Sequence, residues 1–322
     1  MKSTVHATTV SNAAMLAYLG TSISSLNANK LNGMLAEIDF RKHLISLGYG
    51  QRVSPGGWIA RRVGEIDFGR HNVVIFPEPI QPGTDYGPRR LMPVPATGLH
   101  TICSTFHQSG ISAFYCSPSV HAADDVSSIR WQSVQLGVPS TEPWRPFPDS
   151  MDEYFTRRDR RYNFLRYHGD PSGIPAAVIG EEFAKEHLRV TFQNQYMAEI
   201  SDVDGILWGQ QLTYPLEIKE KTVAHTKKIG HYFGIDVGPF VKLAFYAAKR
   251  GNLHSLFVVR EIADTTSRAL VQWWFITFER LARFASWNKI GGGTNMLGGA
   301  STVIQIPRAE FSPLDSAHLA KL

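Results

Sequence analysis

The chain has 322 residues, 43% of them hydrophobic, with seven tryptophans. This composition suits a globular protein of one large or two ordinary domains and excludes a disordered chain. A net charge of +5 permits an anionic partner without demanding one, and two cysteines outside any C-x-x-C pair (Cys103, Cys116) exclude a disulfide scaffold and a thiolate zinc site.

The N-terminus, MKSTVHATTVSNAAMLAYLG, has one lysine and a short mixed apolar run, which makes a poor signal peptide. No segment reaches the ~20 apolar residues that span a bilayer, so a cytoplasmic protein without membrane contact is expected. A short helix is predicted over 13–19, and SSLNANKLNG reads as a polar loop. GMLAEIDFRKHLISLG places Leu35, Ile38, Phe40, Leu44, Ile45 and Leu47 near helical period, with Gly48 as the stop. Prolines and glycines break the chain from there to about residue 150. NVVIFPEP, HTICSTF and ISAFYCS read as strands within irregular β-rich structure. PSTEPWRPFPDS, residues 139–150, is the best linker candidate. Two domains follow: an N-terminal α+β region over 1–150, accessory or substrate-binding, and a second domain over 151–322.

The second half is more regular. IPAAVIGEEFAKEHL has a helix pattern, RVTFQNQYM and AEISDVDGILW read as strands, and TYPLEIKEK as a third. GPFVKLAFYAAKRGN is a helix. LHSLFVVREI and ALVQWWFITFERL are further strands, the last running into a helix. Strands, a crossover helix and further strands imply a mixed sheet flanked by helices, an α/β fold.

Within this half, alternation along TYPLEIKEK sends Leu216 and Ile218 to one face and Glu217 and Lys219 together to the other. If the preceding strand pairs antiparallel, a hairpin with a polar tip at WGQQLT brings Asp204 near Glu217. Two such carboxylates repel, and a divalent cation resolves the conflict; Mg²⁺ takes carboxylate oxygens, waters and phosphate oxygens. Lys219 beside them can stabilise charge on a phosphate. Of all the lysines, Lys219 alone has an acid two positions earlier. The competing reading is an exposed Glu/Lys pair on a solvent face. Asp202 competes with Asp204 for the same role, and Asp204 is preferred for its Gly205 neighbour and the apolar ILW that follows.

Asp204 followed by Glu217-Ile218-Lys219 at the end of an apolar strand resembles the PD-(D/E)XK motif of restriction-endonuclease-like nucleases. Val203 stands where the literal motif has proline. The resemblance covers roughly residues 174–280. It implies a restriction-endonuclease-like core and hydrolysis of a nucleic-acid phosphodiester with Mg²⁺, for which Mn²⁺ substitutes. Asp204, Glu217, Ile218 and Glu182 are then the metal ligands, and Lys219 takes the transition-state role. Glu181 competes with Glu182 on the upstream helix. Double-stranded DNA is the expected substrate, a type II restriction endonuclease the expected enzyme, and a homodimer the economical way to cut both strands. The alternatives are a structure-specific, phage or repair nuclease, and an inactive nucleic-acid-binding module.

Other stretches bear on the same reading. FTRRDRRYNFLRYHG places Arg157, Arg158, Arg160 and Arg161 among aromatic residues, a pattern suited to nucleic acid or to a solvated connecting helix. KEKTVAHTKKIGHY supplies Lys221, Lys227 and Lys228 for backbone contacts, with His225 and His231 read as solvated loop histidines. IGGGTNMLGG reads as a flexible loop, lacking the G-K-[ST] ending of a P-loop. An earlier stretch, Glu37 followed by Gly64-Glu65-Ile66-Asp67 and an apolar strand, resembles the start of a second domain of this kind. That strand ends in Phe76-Pro77-Glu78-Pro79 with no lysine. Coincidence is the favoured explanation; an inactive relative of the fold, or Glu37 on the true first core helix ahead of a large insertion, are the alternatives.

Overall fold

A computed structural model describes residues 8–22, 28–54, 56–62, 73–95, 97–138, 143–158, 176–196, 198–248, 253–284, 289–294 and 300–322. In chain order the elements begin with α1 (Asn12–Ser22), α2 (Ala28–Ser46), β1 (Val53–Ser54), β2 (Gly57–Arg62), β3 (Val73–Pro77) and α3 (Thr97–Gln108). They continue with β4 (Ser112–Ser119), β5 (Arg130–Leu136), β6 (Arg145–Pro146), α4 (Phe147–Met151), α5 (Ala176–Gln195) and β7 (Ala198–Val203). Next come β8 (Gly205–Trp208), β9 (Thr213–Lys221), β10 (Ala224–Thr226), β11 (Gly230–Asp236), α6 (Val237–Ala247) and β12 (Leu256–Ile262). The last are β13 (Leu270–Thr277), α7 (Phe278–Phe284), β14 (Lys289–Thr294), β15 (Ala300–Pro307), β16 (Ser312–Pro313) and α8 (Ser316–Leu319). The chain is mixed α/β, and among the described residues no helix is long and apolar enough to cross a membrane.

The chain folds as two compact units, residues 1–35 with 57–202 and residues 36–56 with 203–322. This differs from a cut near residue 150. The contacts of Ala36–Gly56 are made with the C-terminal part of the chain, so the first unit is interrupted by the second and not simply followed by it. The described part of the expected linker belongs to the first unit. There Phe147, Ser150 and Met151 are buried in α4, too well packed for a linker.

The first unit is built on a six-stranded sheet in the order β6-β5-β4-β3-β2-β7. β3 and β4 are parallel and joined through α3; β4 and β5 are antiparallel. HTICSTF lies within α3 and is not a strand. Leu99, Ile102, Cys103 and Phe106 are all buried, and their i, i+3, i+4, i+7 spacing outweighs the β-branched residues between them. α5 likewise runs through RVTFQNQ, because Phe183, Leu188, Phe192 and Tyr196 continue one buried stripe. Phe192 packs 5.1 Å from Trp58 and 5.0 Å from Phe155, ring centre to ring centre. Also in this helix, His187 is buried between two fixed partners. The Trp131 indole N–H donates to its Nδ1 at 3.0 Å, and its Nε2 lies 3.0 Å from the Val126 carbonyl.

The second unit carries a six-stranded sheet, β1-β8-β9-β12-β13-β16, and a four-stranded sheet, β10-β11-β15-β14. Among the described residues of the larger sheet only the β9–β12 pair is parallel; the β10–β11 hairpin and α6 lie in the crossover between them. Ala36, Phe40 and Leu44 of α2 share a core with Leu216, Ile218, Val258 and Trp273. Phe257, Val259 and Ile276 join Phe233, Ile235, Leu243 and Ile304 in a second core. Strand alternation places these two cores on opposite faces of the larger sheet. α2 starts at Ala28, inside the stretch expected to be a loop, and stops where expected. Gly48 (φ +83°) donates to Ile45 O and Tyr49 to Leu44 O, a Schellman ending that needs a left-handed residue. IGGGT is strand β14, paired with β15, and not a loop; residues 295–299 lie outside the described residues. In KEKTVAHTKKIGHY the first three residues end β9 and the rest enters the β10–β11 hairpin, with His225 opposite His231.

Candidate active site

The site forms where β8 begins. AEISDVDGILW is not one strand: it breaks at Asp204 into β7 of the first unit and β8 of the second. That break separates the two competing aspartates. Asp202 is exposed on β7. Asp204 stands just before β8 and is directed at β9, where its Oδ2 accepts the Ile218 N–H at 2.7 Å.

β8 and β9 form the expected antiparallel hairpin, with Gly205 opposite Leu216 and Leu207 opposite Tyr214. One more step in that register sets Asp204 opposite Glu217. Instead of continuing the ladder, Asp204 caps it with its side chain. The Ile218 carbonyl leaves the strand on the same side as its amide, toward Asp204. Glu217 is 2% exposed. Its Oε1 lies 2.6 Å from Lys219 Nζ, and its Oε2 forms an ion pair with Lys242 from α6.

Four charges thus meet in a largely dry place. Burial, then repulsion from Glu217, pushes the Asp204 carboxyl above its ordinary value. Burial acts the same way on Glu217, but the ammoniums of Lys219 and Lys242 outweigh it and hold that carboxyl low. Both lysines are held above their ordinary value: burial opposes their charge, and Glu217 and Asp204 more than offset it. The protonated state of Lys219 suits it to stabilising anionic charge and not to accepting a proton.

Lys242 escapes a search built on E-x-K, since it lies on a different element. A signal for it was present: it is the one charged residue in VGPFVKLAFYA. A lone lysine in a helix whose Leu243 and Tyr246 are buried needs a carboxylate partner.

Glu182 is in the first unit, buried on α5 beside Lys185 at 3.5 Å. Glu186, one turn further along α5, is also buried and pairs with Arg189. Arg157 makes a two-pronged contact with Asp152 at 2.7 and 2.6 Å, and Arg158 donates to Gln193 O at 2.8 Å. Arg160, Arg161 and residues 63–72 lie outside the described residues. Lys221 follows Lys219 on the same strand face, and burial lowers its pKa. Lys227 and Lys228 are exposed at the β10–β11 turn, and the His225 and His231 rings lie 5.2 Å apart across that hairpin. Glu37 lies on α2 in the same unit as Asp204.

Among the described residues no three His, Cys, Asp or Glu side chains are grouped as a metal site. The donor set at β9 still fits Mg²⁺, which is held by one or two carboxylates and completed by water and phosphate oxygens. Asp204, Glu217 and the Ile218 carbonyl would supply the protein's share. Comparison of the chain with protein families, with curated proteins and with solved structures returns no match.

Proposed function

We propose that the protein is a Mg²⁺-dependent endodeoxyribonuclease of the PD-(D/E)XK type, acting on double-stranded DNA as a type II restriction endonuclease, with Mn²⁺ able to replace Mg²⁺. The observation that carries this reading is the capping of the β8–β9 hairpin. Asp204 is bonded to the amide of Ile218, the residue between Glu217 and Lys219, so acid, acid and lysine converge at one strand end. Chance E-x-K triplets on exposed strands have no reason to bury the glutamate or to recruit an aspartate from the neighbouring strand.

In this reading Asp204 and Glu217 hold the metal, and the Ile218 carbonyl adds a neutral ligand. When bound, the metal polarises the scissile phosphate and lowers the pKa of the attacking water. Lys219, 38% exposed, extends from the buried Glu217 toward solvent and donates to the phosphate as negative charge builds on it. The exposed Lys227 and Lys228 contact the DNA backbone, which positions the duplex without reading its sequence. A homodimer supplies the second site that double-strand cutting requires.

Incubation of the protein with phage DNA and Mg²⁺ or Mn²⁺, beside Asp204→Ala, tests this. Discrete fragments from wild type and none from the variant are expected. Cutting confined to branched or free-ended DNA would instead assign a structure-specific nuclease. A second reading, a binding module without catalysis, draws on the fact that both Glu217 oxygens already face ammonium groups. DNA binding without cleavage in either metal would establish it.

A further inference from the structure

We infer that Lys242 is a positioning residue that serves as the internal counter-cation of Glu217 and competes with the divalent metal for its Oε2. The inference rests on the metal-site reading of Asp204 and Glu217 and concerns how that site is regulated.

The two lysines at Glu217 are not equivalent. Lys219 sits on the same strand, two residues along, and its side chain is 38% exposed. Lys242 comes from α6, across the sheet face, and its side chain is 15% exposed. Only the first has a broad route to a substrate phosphate. The second is enclosed, in a helix otherwise free of charge, against a carboxylate that is 2% exposed. Burying an ammonium there is costly unless a carboxylate compensates it, and burying Glu217 with one partner is costly too. The pair therefore satisfies a need of the metal-free protein.

The arrangement has a consequence for metal entry. A dication approaching Asp204 and Glu217 meets two fixed positive charges. One of them already pairs with Oε2 of the carboxylate that the metal would use. Lys219 serves substrate as well, so its charge is useful after the metal arrives. Lys242, only 15% exposed, is not placed to do the same. Its charge sets a threshold: the metal must outcompete it, and an anionic phosphate arriving with the metal lowers the barrier. Metal alone is held weakly, and metal with DNA firmly.

The test is calorimetric titration of Mn²⁺ into the metal-free full-length protein, wild type beside Lys242→Met, which keeps the stem and removes the charge. At least tenfold tighter Mn²⁺ binding by the variant is expected, with a lower melting temperature before metal is added. Should Lys242→Met not fold, Lys242→Gln carries the same expectation. Unchanged or weaker metal binding by the variant overturns the inference, because a purely structural lysine cannot tighten metal binding when removed. Tight binding by the variant and none by wild type supports it in its strongest form. Absence of Mn²⁺ binding by both proteins, together with absence of cleavage, overturns the metal-site reading itself and this inference with it. A wild type that binds and cuts, beside a variant of equal affinity, sinks this inference alone.

Discussion

The Ile218 main-chain N–H donates to Asp204 Oδ2 across 2.7 Å, tying the acid that precedes β8 to the strand that carries Glu217 and Lys219. The bond needs an acceptor at position 204 but not a negative charge. Burial and Glu217 both disfavour that charge in the metal-free protein. Asp204→Asn keeps an acceptor and removes the charge, so its melting temperature is expected at or above that of wild type, with cleavage abolished. Asp204→Ala loses the acceptor as well and is expected to be less stable, by about 1–3 kcal/mol. Paired urea melts and cleavage assays check both; a marked fall in stability for Asp204→Asn contradicts this account.

Glu217 and Lys242 are expected to be strongly non-additive. Glu217→Ala leaves the enclosed Lys242 ammonium without this partner, a change of about 3–5 kcal/mol for a broken buried pair. Adding Lys242→Met to Glu217→Ala removes the buried ammonium and is expected to recover part of the loss. A double-mutant cycle by denaturant unfolding measures it, and a coupling near zero would show that the pair is not energetically linked.

Gly180 offers a case where two effects have opposite signs. It lies within α5, where alanine is ordinarily better than glycine by about 1 kcal/mol. Here its carbonyl accepts from Ile80 N at 3.2 Å, and a Cβ would fall 1.8 Å from Ile80 O. That oxygen belongs to the backbone and cannot swing aside. Gly180→Ala is therefore expected to destabilise, by roughly 1–3 kcal/mol net. A stabilised variant in thermal or urea unfolding would mean the helix and the Ile80 loop separate readily.

His187 gives the first unit a pH dependence. The Trp131 N–H occupies its Nδ1, so the neutral ring carries its proton on Nε2, toward Val126 O. A second proton on Nδ1 would face a donor. Burial foremost lowers its pKa to about 4. The unfolded chain takes up this proton near pH 6.5 and the folded one only near pH 4. Stability is thus full above pH 6.5 and falls as pH drops toward 4, by on the order of 3 kcal/mol. Melting curves from pH 7.5 to 4 for wild type and His187→Gln check this. The variant is expected to be less stable at pH 7.5 and to lose less on acidification.

Much of the site was legible because it lies in local pattern. Strand alternation placed Glu217 and Lys219 on one face, and the polar tip WGQQLT announced the hairpin. Asp204 was preferred over Asp202 from its neighbours alone, and the break between β7 and β8 supplies the physical reason. Lys242 was missed because its meaning depends on tertiary packing across a crossover. α3 and the end of α5 were misread for a different reason. HTICSTF and RVTFQNQYM are rich in residues that favour strands, while their buried positions follow helical period. Period outweighed propensity in both. The division of the chain was hidden because no composition shift marks Leu35 or Gly57. The Glu37 stretch was read as coincidence, and its helix α2 shares a core with β9, a long-range contact that no local pattern announces.

The Ser54 hydroxyl accepts the amide of Ile206, 152 residues later, where β1 pairs with β8. On a ribosome adding about 5–20 residues per second, β1 waits on the order of ten seconds or more for that partner. Throughout the wait, the Ala36-Phe40-Leu44 stripe of α2 has none of β9 or β12 to cover it. The nascent chain must carry a sticky apolar helix through the synthesis of residues 57–202, the larger part of the first unit. Slowing translation within residues 57–202 should therefore increase aggregation and chaperone dependence without altering the finished molecule.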